Sequence, residues 1–175
     1  MKLVAFYSRA GENYFGGQYR VIEVGNTEKV ARTIAALTGA ELFQIRQVVP
    51  YAWDYQTCIR QAQEDKRANA RPELADLPEN LEGYDQIYLG YPSYWGDLPM
   101  AVYTFLEAFD WTGKTLHPFC THEGSGLGGT VQSIARTCKG AHVKNGLAVW
   151  GSDADNCLEK VASWMQHDTT GGAAG

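Results

Sequence analysis

Three consecutive residues, Gly25, Asn26 and Thr27, stand directly before a stretch with helical spacing of apolar residues. The first turn of a helix has free backbone N–H groups and a positive dipole end, so it attracts a phosphate. The side chains of Asn26, Thr27 and Ser8 add polar donors. Arg9 adds a full positive charge, and Gly25 permits a tight turn. This group predicts a phosphate site, with an ordinary helix cap as the alternative.

A second group follows the third predicted strand, where Tyr94 and Trp95 lie between Ser93 and Gly96. Loops at strand ends are usually polar, so two large aromatic residues are unusual there. Aromatic faces stack on flat heterocycles, and backbone groups beside them can reach ring-edge atoms. The loop therefore favours a platform for a flat ring, with rings that cap the core as the alternative.

A third group follows the fourth predicted strand and has four glycines within residues 124–129. Such a run costs backbone entropy, which is reasonable where a ligand approaches the backbone closely. A flexible hinge is the alternative. His122 could donate a proton but could equally be a surface residue, and no residue is assigned a catalytic role.

Short apolar runs alternate with helical patterns along the chain. Strands are predicted at residues 3–7, 41–45, 86–91, 115–121 and 147–150. This alternation predicts a three-layer, doubly wound α/β domain around a five-stranded parallel sheet. Ligands bind such sheets at the carboxyl ends of the strands, so the three loops should meet at one edge. Residues 9–24 have no helical period and contain one short extended piece.

Two further expectations concern the helices and the end of the chain. A cap at Ser152 or Asp153 is predicted to begin the last helix. Residues 1–167 are expected to form one domain, and residues 168–175 a flexible tail. The helix faces expected to point inward include Leu37, Ala135 and Leu158.

The composition excludes several classes of protein. The chain has 175 residues and a net charge of −5, with no dense Lys/Arg stripe, which disfavours a nucleic-acid partner. No apolar run is long enough to span a membrane, and the first residues suit a strand better than a signal peptide, so a cytoplasmic location is expected. The four cysteines have no zinc or C-x-x-C spacing, which predicts separate thiols and no metal site.

The motifs also narrow the ligand. No G-x-G-x-x-G follows the first strand, and no G-x-x-x-x-G-K-[ST] is present, so a dinucleotide or nucleoside triphosphate is disfavoured. One phosphate and one flat ring suit a mononucleotide.

At these motifs the sequence resembles the flavodoxin-like FMN-binding family over nearly the whole chain. Ser8 and the Gly25-Asn26-Thr27 turn resemble the family's phosphate loop, which residues 9–24 interrupt as an insertion. G-Y-P-S-Y-W-G from residue 90 and T-H-E-G-S-G-L-G from residue 121 resemble its ring loops. The resemblance implies the strand order 2-1-3-4-5 and FMN as the cofactor. The FMN-binding residues it implies, with Arg9 added for its charge, are Ser8, Arg9, Asn26, Thr27, Pro92, Ser93, Tyr94, Trp95, Gly96, Thr121, His122, Glu123, Gly124, Ser125, Gly126 and Gly128.

Three functions remain open at this point. The first is a redox protein that transfers electrons through bound flavin to a partner protein or a small-molecule acceptor. The second is an NAD(P)H- or quinone-dependent oxidoreductase, in which Tyr14, Phe15, Tyr51 and Trp53 could wall a second pocket, or else be core or interface residues. The third is an interaction domain that has lost FMN, which the donor set disfavours. A homodimer is compatible with each of them.

Overall fold

The computed structural model describes residues 1–170. The strands are β1 (Lys2–Phe6), β2 (Gly11–Phe15), β3 (Gln18–Ile22), β4 (Glu41–Gln44), β5 (Gln86–Pro92), β6 (Thr115–His122), β7 (His142–Val143) and β8 (Leu147–Trp150). The α-helices are α1 (Asn26–Thr38), α2 (Tyr55–Arg67), α3 (Met100–Glu107), α4 (Thr130–Thr137) and α5 (Leu158–Thr170). A 3-10 helix, Gly151–Asn156, connects β8 to α5.

A parallel sheet lies at the centre of the fold, in the order β4-β1-β5-β6, with β7 and β8 both paired to β6. Because β7 and β8 occupy one position beside β6, they form a single interrupted fifth strand. When the five strands of this sheet are numbered in the order in which they occur along the chain, the strand order is 2-1-3-4-5. The predicted doubly wound α/β architecture is confirmed. The carboxyl ends of β1, β5, β6 and β8 lie along one edge.

Two apolar cores, one on each face of the sheet, follow from the alternation of side chains along β1. Leu3 and Ala5 face a core completed by residues of α3 and α4, such as Phe105 and Ile134. Val4 and Phe6 face the other core, which residues of α1 and α5 complete. The helices on both faces hold the sheet rigidly, so its carboxyl edge can position loops.

Residues 9–24 form an antiparallel hairpin, β2–β3, instead of a largely irregular insertion. Tyr14 pairs with Tyr19 and Phe15 with Gln18, and Gly16 and Gly17 make the turn with φ values of 63° and 78°. We call residues 11–22 the hairpin and residues 15–18 its tip. The predicted extended piece is thus one strand of a two-stranded unit.

Two kinds of expectation about the helices are wrong: the inward direction of three residues and the cap of the last helix. Leu37 and Leu158 are 45% and 56% exposed, and Ala135 is also exposed, because each lies beside the buried stripe of its helix. Ser152 and Asp153 do not cap the last α-helix, since they belong to the 3-10 helix that precedes it. Packing of α5 against the sheet begins one turn later than the cap pattern indicates.

The expected tail is also wrong at its start, since α5 continues through Thr170. Asp168 lies 2.8 Å from Nδ1 of His117, a buried residue of β6 whose Nε2 lies 2.7 Å from Oε1 of Gln86. Residues 171–175 of the expected tail lie outside the described part of the chain. All four cysteines are separate buried thiols.

Within residues 1–170, no helix has both the length and the apolar character needed to cross a bilayer.

Candidate functional site

A cavity of about 270 Å³ opens at the carboxyl edge of the sheet. Ligand pockets commonly span roughly 300–1,000 Å³, so a nucleotide-sized ligand would be partly enclosed here. Residues from all three predicted loops line this cavity: Arg9, Asn26, Thr27, Pro92, Ser93, Tyr94, Trp95, Thr121, His122 and Glu123. The structure therefore brings together motifs that are far apart in the sequence.

The N-terminus of α1 forms one end of the cavity. Gly25 precedes the helix without a side-chain cap, and Ser8 supplies one in its place, with Oγ accepting from the Glu28 N–H at 3.1 Å. A Cβ atom at Gly25 would lie 2.1 Å from that Oγ, so only glycine fits where the two segments cross. Among the described residues, the N–H groups of Asn26 and Thr27 have no acceptor, and they remain available to a ligand.

The hydroxyls of Thr27 and Thr121 lie 2.7 Å apart in the floor of the cavity, and both side chains are buried. Their hydrogen bond joins the start of α1 to the end of β6. The first and third loops are thereby fixed relative to each other.

Arg9 lines the cavity, but its guanidinium is already engaged. It donates to the carbonyl oxygen of Glu12, to that of Ala52 at 2.8 Å and to that of Trp53 at 2.6 Å. Arg9 thus fastens the base of the hairpin to the loop before α2. Its charge still lies beside the cavity.

A two-residue turn carries the aromatic platform. Tyr94 and Asp97 exchange backbone hydrogen bonds of 2.9 and 3.1 Å, and Trp95 and Gly96 between them have positive φ values of 55° and 73°. The indole Nε1 of Trp95 donates to the carbonyl oxygen of Ile59 in α2 at 2.8 Å. The left-handed conformation of Trp95, uncommon for a bulky residue, is held by these bonds, and Trp95 lines the cavity.

Burial keeps the phenols of this region protonated. Desolvation raises the pKa of Tyr94 well above its ordinary value and also raises that of Tyr55. The ring of Tyr94 packs edge-on against Tyr7 with centroids 5.9 Å apart. Tyr55 and Tyr94, which line the cavity, are therefore neutral hydrogen-bond donors at physiological pH.

His122 is held in a defined tautomer. Its Nδ1 accepts from the N–H of Gly124 at 2.9 Å, which places the proton of the neutral ring on Nε2. Desolvation lowers the pKa of His122 below its ordinary value, an effect that Glu123 partly opposes. The side chain is therefore a neutral N–H donor at the cavity wall.

Glu123 lines the cavity and also joins two other segments of the chain. Its Oε2 accepts from the N–H of Gly16 at 3.1 Å, and its Oε1 accepts from the N–H of Gly151 at 3.2 Å. We call these two hydrogen bonds the Glu123 bridge. Both carboxylate oxygens are directed at backbone donors of other segments.

Six predicted residues do not line the cavity: Ser8, Gly96, Gly124, Ser125, Gly126 and Gly128. Ser8 instead caps α1, because its Oγ accepts from the Glu28 N–H. Ser125 donates to the hydroxyl of Ser93 at 2.9 Å and so joins the second and third loops. The glycines have positive φ values, which indicates that they serve the turns of their loops.

Eight residues outside the predicted FMN-binding set also line the cavity: Asn13, Tyr14, Phe15, Tyr55, Cys58, Ile59, Ala62 and Gly151. Tyr14 and Phe15 had been considered only as walls of a second pocket. The other two residues of that group, Tyr51 and Trp53, lie outside this cavity. The Gly16-Gly17 pair between two strand-like runs is a hairpin signal that could have placed Asn13, Tyr14 and Phe15.

Comparison with known proteins identifies the family to which the chain belongs. The sequence profile of the flavodoxin family matches residues 19–167, which is most of the chain. The chain belongs to the flavodoxin family. FMN is the cofactor of that family, and no curated protein matches the chain.

Solved structures share the fold of this family member. A protein from Bacteroides eggerthii, provisionally classed as a flavoprotein, is 24% identical with a TM-score of 0.76, over 96% of this chain and 97% of that one. A Lactobacillus acidophilus flavoprotein crystallised with FMN is 20% identical with a TM-score of 0.63, over 94% and 97%. An NADH:FMN oxidoreductase is 15% identical with a TM-score of 0.55, over 95% and 85%.

Proposed function

We propose that the chain binds one FMN in the cavity and transfers electrons through it. The observation that carries this proposal is the convergence of the open N-terminus of α1, the Tyr94–Trp95 turn and the loop after β6 on one cavity. A phosphate needs hydrogen-bond donors, and a flat ring needs aromatic or apolar walls. Residues of both kinds line this cavity.

The donor set at α1 fits a phosphate. The N–H groups of Asn26 and Thr27 have no acceptor among the described residues, and the side chain of Asn26 lines the same cavity. The helix dipole adds a positive potential at this point.

The remaining walls fit a flat aromatic ring system. Trp95 and Tyr94 lie on one side, and Tyr55 and Tyr14 lie toward α2 and the hairpin. FMN supplies one- and two-electron redox chemistry when it is bound, and the protein sets its orientation and surroundings. The Nε2–H of His122 offers a neutral donor at the wall.

A second candidate function is a reductase that uses NAD(P)H or a quinone. The aromatic side chains of Tyr14 and Phe15, which the hairpin adds to the cavity, support it. A structural neighbour is an NADH:FMN oxidoreductase, which supports the same candidate. A carrier would instead need the ring edge accessible to a partner protein.

Titration of ligand-free protein with FMN, followed by the quenching of flavin fluorescence, tests the binding proposal. We expect one equivalent of FMN to bind and riboflavin to bind more weakly, because riboflavin lacks the phosphate. Equal affinity for both ligands would refute the placement of the phosphate at α1. Consumption of NADH or NADPH with a quinone acceptor then separates the enzyme from the carrier.

A further inference from the structure

We propose that the Glu123 bridge holds the hairpin closed over the α1 end of the cavity and so controls the release of the bound ligand. This inference rests on the proposed FMN site. It assigns to Glu123 a positioning role that acts through the hairpin.

The hairpin is fastened at its base and side as well as at its tip. Arg9 holds the base, as described above, and the Tyr14, Tyr19 and Tyr55 rings pack together along the side, with centroids 5.3–5.9 Å apart. The backbone N–H of Tyr55 also donates to Oε1 of Glu12 at 3.0 Å. The base and side are therefore anchored to α2 independently of Glu123.

Phe15 of the tip is buried, and one carboxylate binds the backbone of the tip. Oε2 of Glu123 binds the Gly16 N–H, and Oε1 binds the Gly151 N–H, so one side chain joins the hairpin to the start of the 3-10 helix. Hydrogen bonds to a charged acceptor are stronger than neutral ones. Loss of this side chain would remove both hydrogen bonds and loosen the tip, while the base stays attached.

The absence of a side chain at Gly151 permits the closure. A Cβ atom there would lie 2.6 Å from Oε1 of Glu123, 2.8 Å from Nδ2 of Asn26 and 2.9 Å from Cβ of Phe15. These three side chains come from the loop after β6, from α1 and from the hairpin tip. They meet around one backbone position, which closes the cavity above the helix N-terminus.

A phosphate at the N-terminus of α1 would lie beneath this closure, because Phe15, Asn26, Glu123 and Gly151 all line the cavity. A ligand bound there leaves more readily when the tip opens. The frequency of opening should therefore limit its dissociation rate.

Two measurements on Glu123→Gln and Glu123→Ala test the inference. The first is amide hydrogen exchange of the ligand-free protein by NMR, and the second is the dissociation rate of FMN. We expect exchange at the tip, residues 15–18, and FMN dissociation each to accelerate on the order of tenfold. Glu159→Gln, which removes an exposed carboxylate at the start of α5, is the matched control and should change neither.

Unchanged exchange at the tip, or an increase spread evenly over the domain, would overturn the inference. If amide exchange at the tip accelerates while the dissociation rate of FMN stays the same, the tip does not control the release of the ligand. If the wild-type protein does not bind FMN, the proposed function and the proposed control of ligand release are both refuted. The exchange data would still decide whether Glu123 holds the hairpin. If neither variant folds, Glu123→Asp, whose shorter side chain cannot reach both N–H groups, provides the same comparison.

Discussion

The hydroxyl oxygens of Thr27 and Thr121 lie 2.7 Å apart, and both residues are buried beneath the candidate site. This one hydrogen bond joins the helix that begins the site to the strand that ends it. The two loops on either side of the ligand therefore share a support.

A double-mutant cycle tests that support. Either Thr27→Val or Thr121→Val leaves a buried hydroxyl without its partner, so each should lower the free energy of unfolding by about 1–3 kcal/mol. The double variant removes both hydroxyls and should lose clearly less than the sum. Urea denaturation of the wild type, the two single variants and the double variant gives the coupling free energy between the two hydroxyls. Strictly additive losses would show that the hydroxyls do not support each other.

Asn26→Ala should weaken FMN binding roughly 10- to 100-fold, because a hydrogen bond to a charged group contributes about 1.5–3 kcal/mol. Riboflavin has no phosphate, so its affinity should change little.

Trp95→Ala is the contrasting variant, since the loss of a stacking surface should weaken FMN and riboflavin by the same factor. Titrations of both ligands against both variants give the comparison. If Asn26→Ala weakens riboflavin as much as FMN, Asn26 does not contact the phosphate.

Gly25→Ala should destabilise the protein and weaken FMN binding. The added Cβ would lie 2.1 Å from Oγ of Ser8 and would displace the acceptor of the Glu28 N–H. Overpacking of this kind costs about 1–3 kcal/mol. Gly129→Ala is the matched control, because nothing lies within 4 Å of a Cβ there. Thermal denaturation should separate the two variants, and equal melting temperatures would contradict the close crossing at Gly25.

The stability should fall as the pH is lowered below about 6.5, the ordinary pKa of histidine. Desolvation lowers the pKa of His117 in the folded state, although Asp168 partly opposes this. The unfolded chain therefore takes up a proton first, and stability present above the ordinary pKa is lost as the pH falls. The pKa of His122 shifts in the same direction, so it contributes to the same loss.

Urea unfolding at pH 7.5 and 5.5 measures this dependence. His117→Gln should make it shallower by up to about 1.4 kcal/mol per pH unit, the maximum for one proton. The His122 contribution should remain in that variant. A variant with the same slope as the wild type would show that His117 does not titrate as proposed.

Much of the fold follows from local patterns in the sequence. Alternating apolar runs and helical stripes are sufficient for the parallel sheet and its two helical layers, and strand ends at one edge are sufficient to bring the three loops together. Leu37, Ala135 and Leu158 are exposed instead of pointing inward, because helical spacing does not show where the buried stripe ends.

The hairpin is the main feature absent from the predictions, although its Gly16-Gly17 turn is a local signal. Its strands are short and polar, and they are stabilised by distant partners: Arg9 binds carbonyl oxygens at Ala52 and Trp53, and Glu123 binds Gly16. Such contacts join positions more than 40 residues apart. The role of Glu123 could not be read from its neighbours in the sequence for the same reason.

The visible absorbance spectrum of the purified protein, before and after addition of FMN and removal of the excess, tests the central claim most directly. We predict a flavin spectrum that corresponds to one FMN per chain after reconstitution. A protein that stays colourless after incubation with FMN would contradict the account.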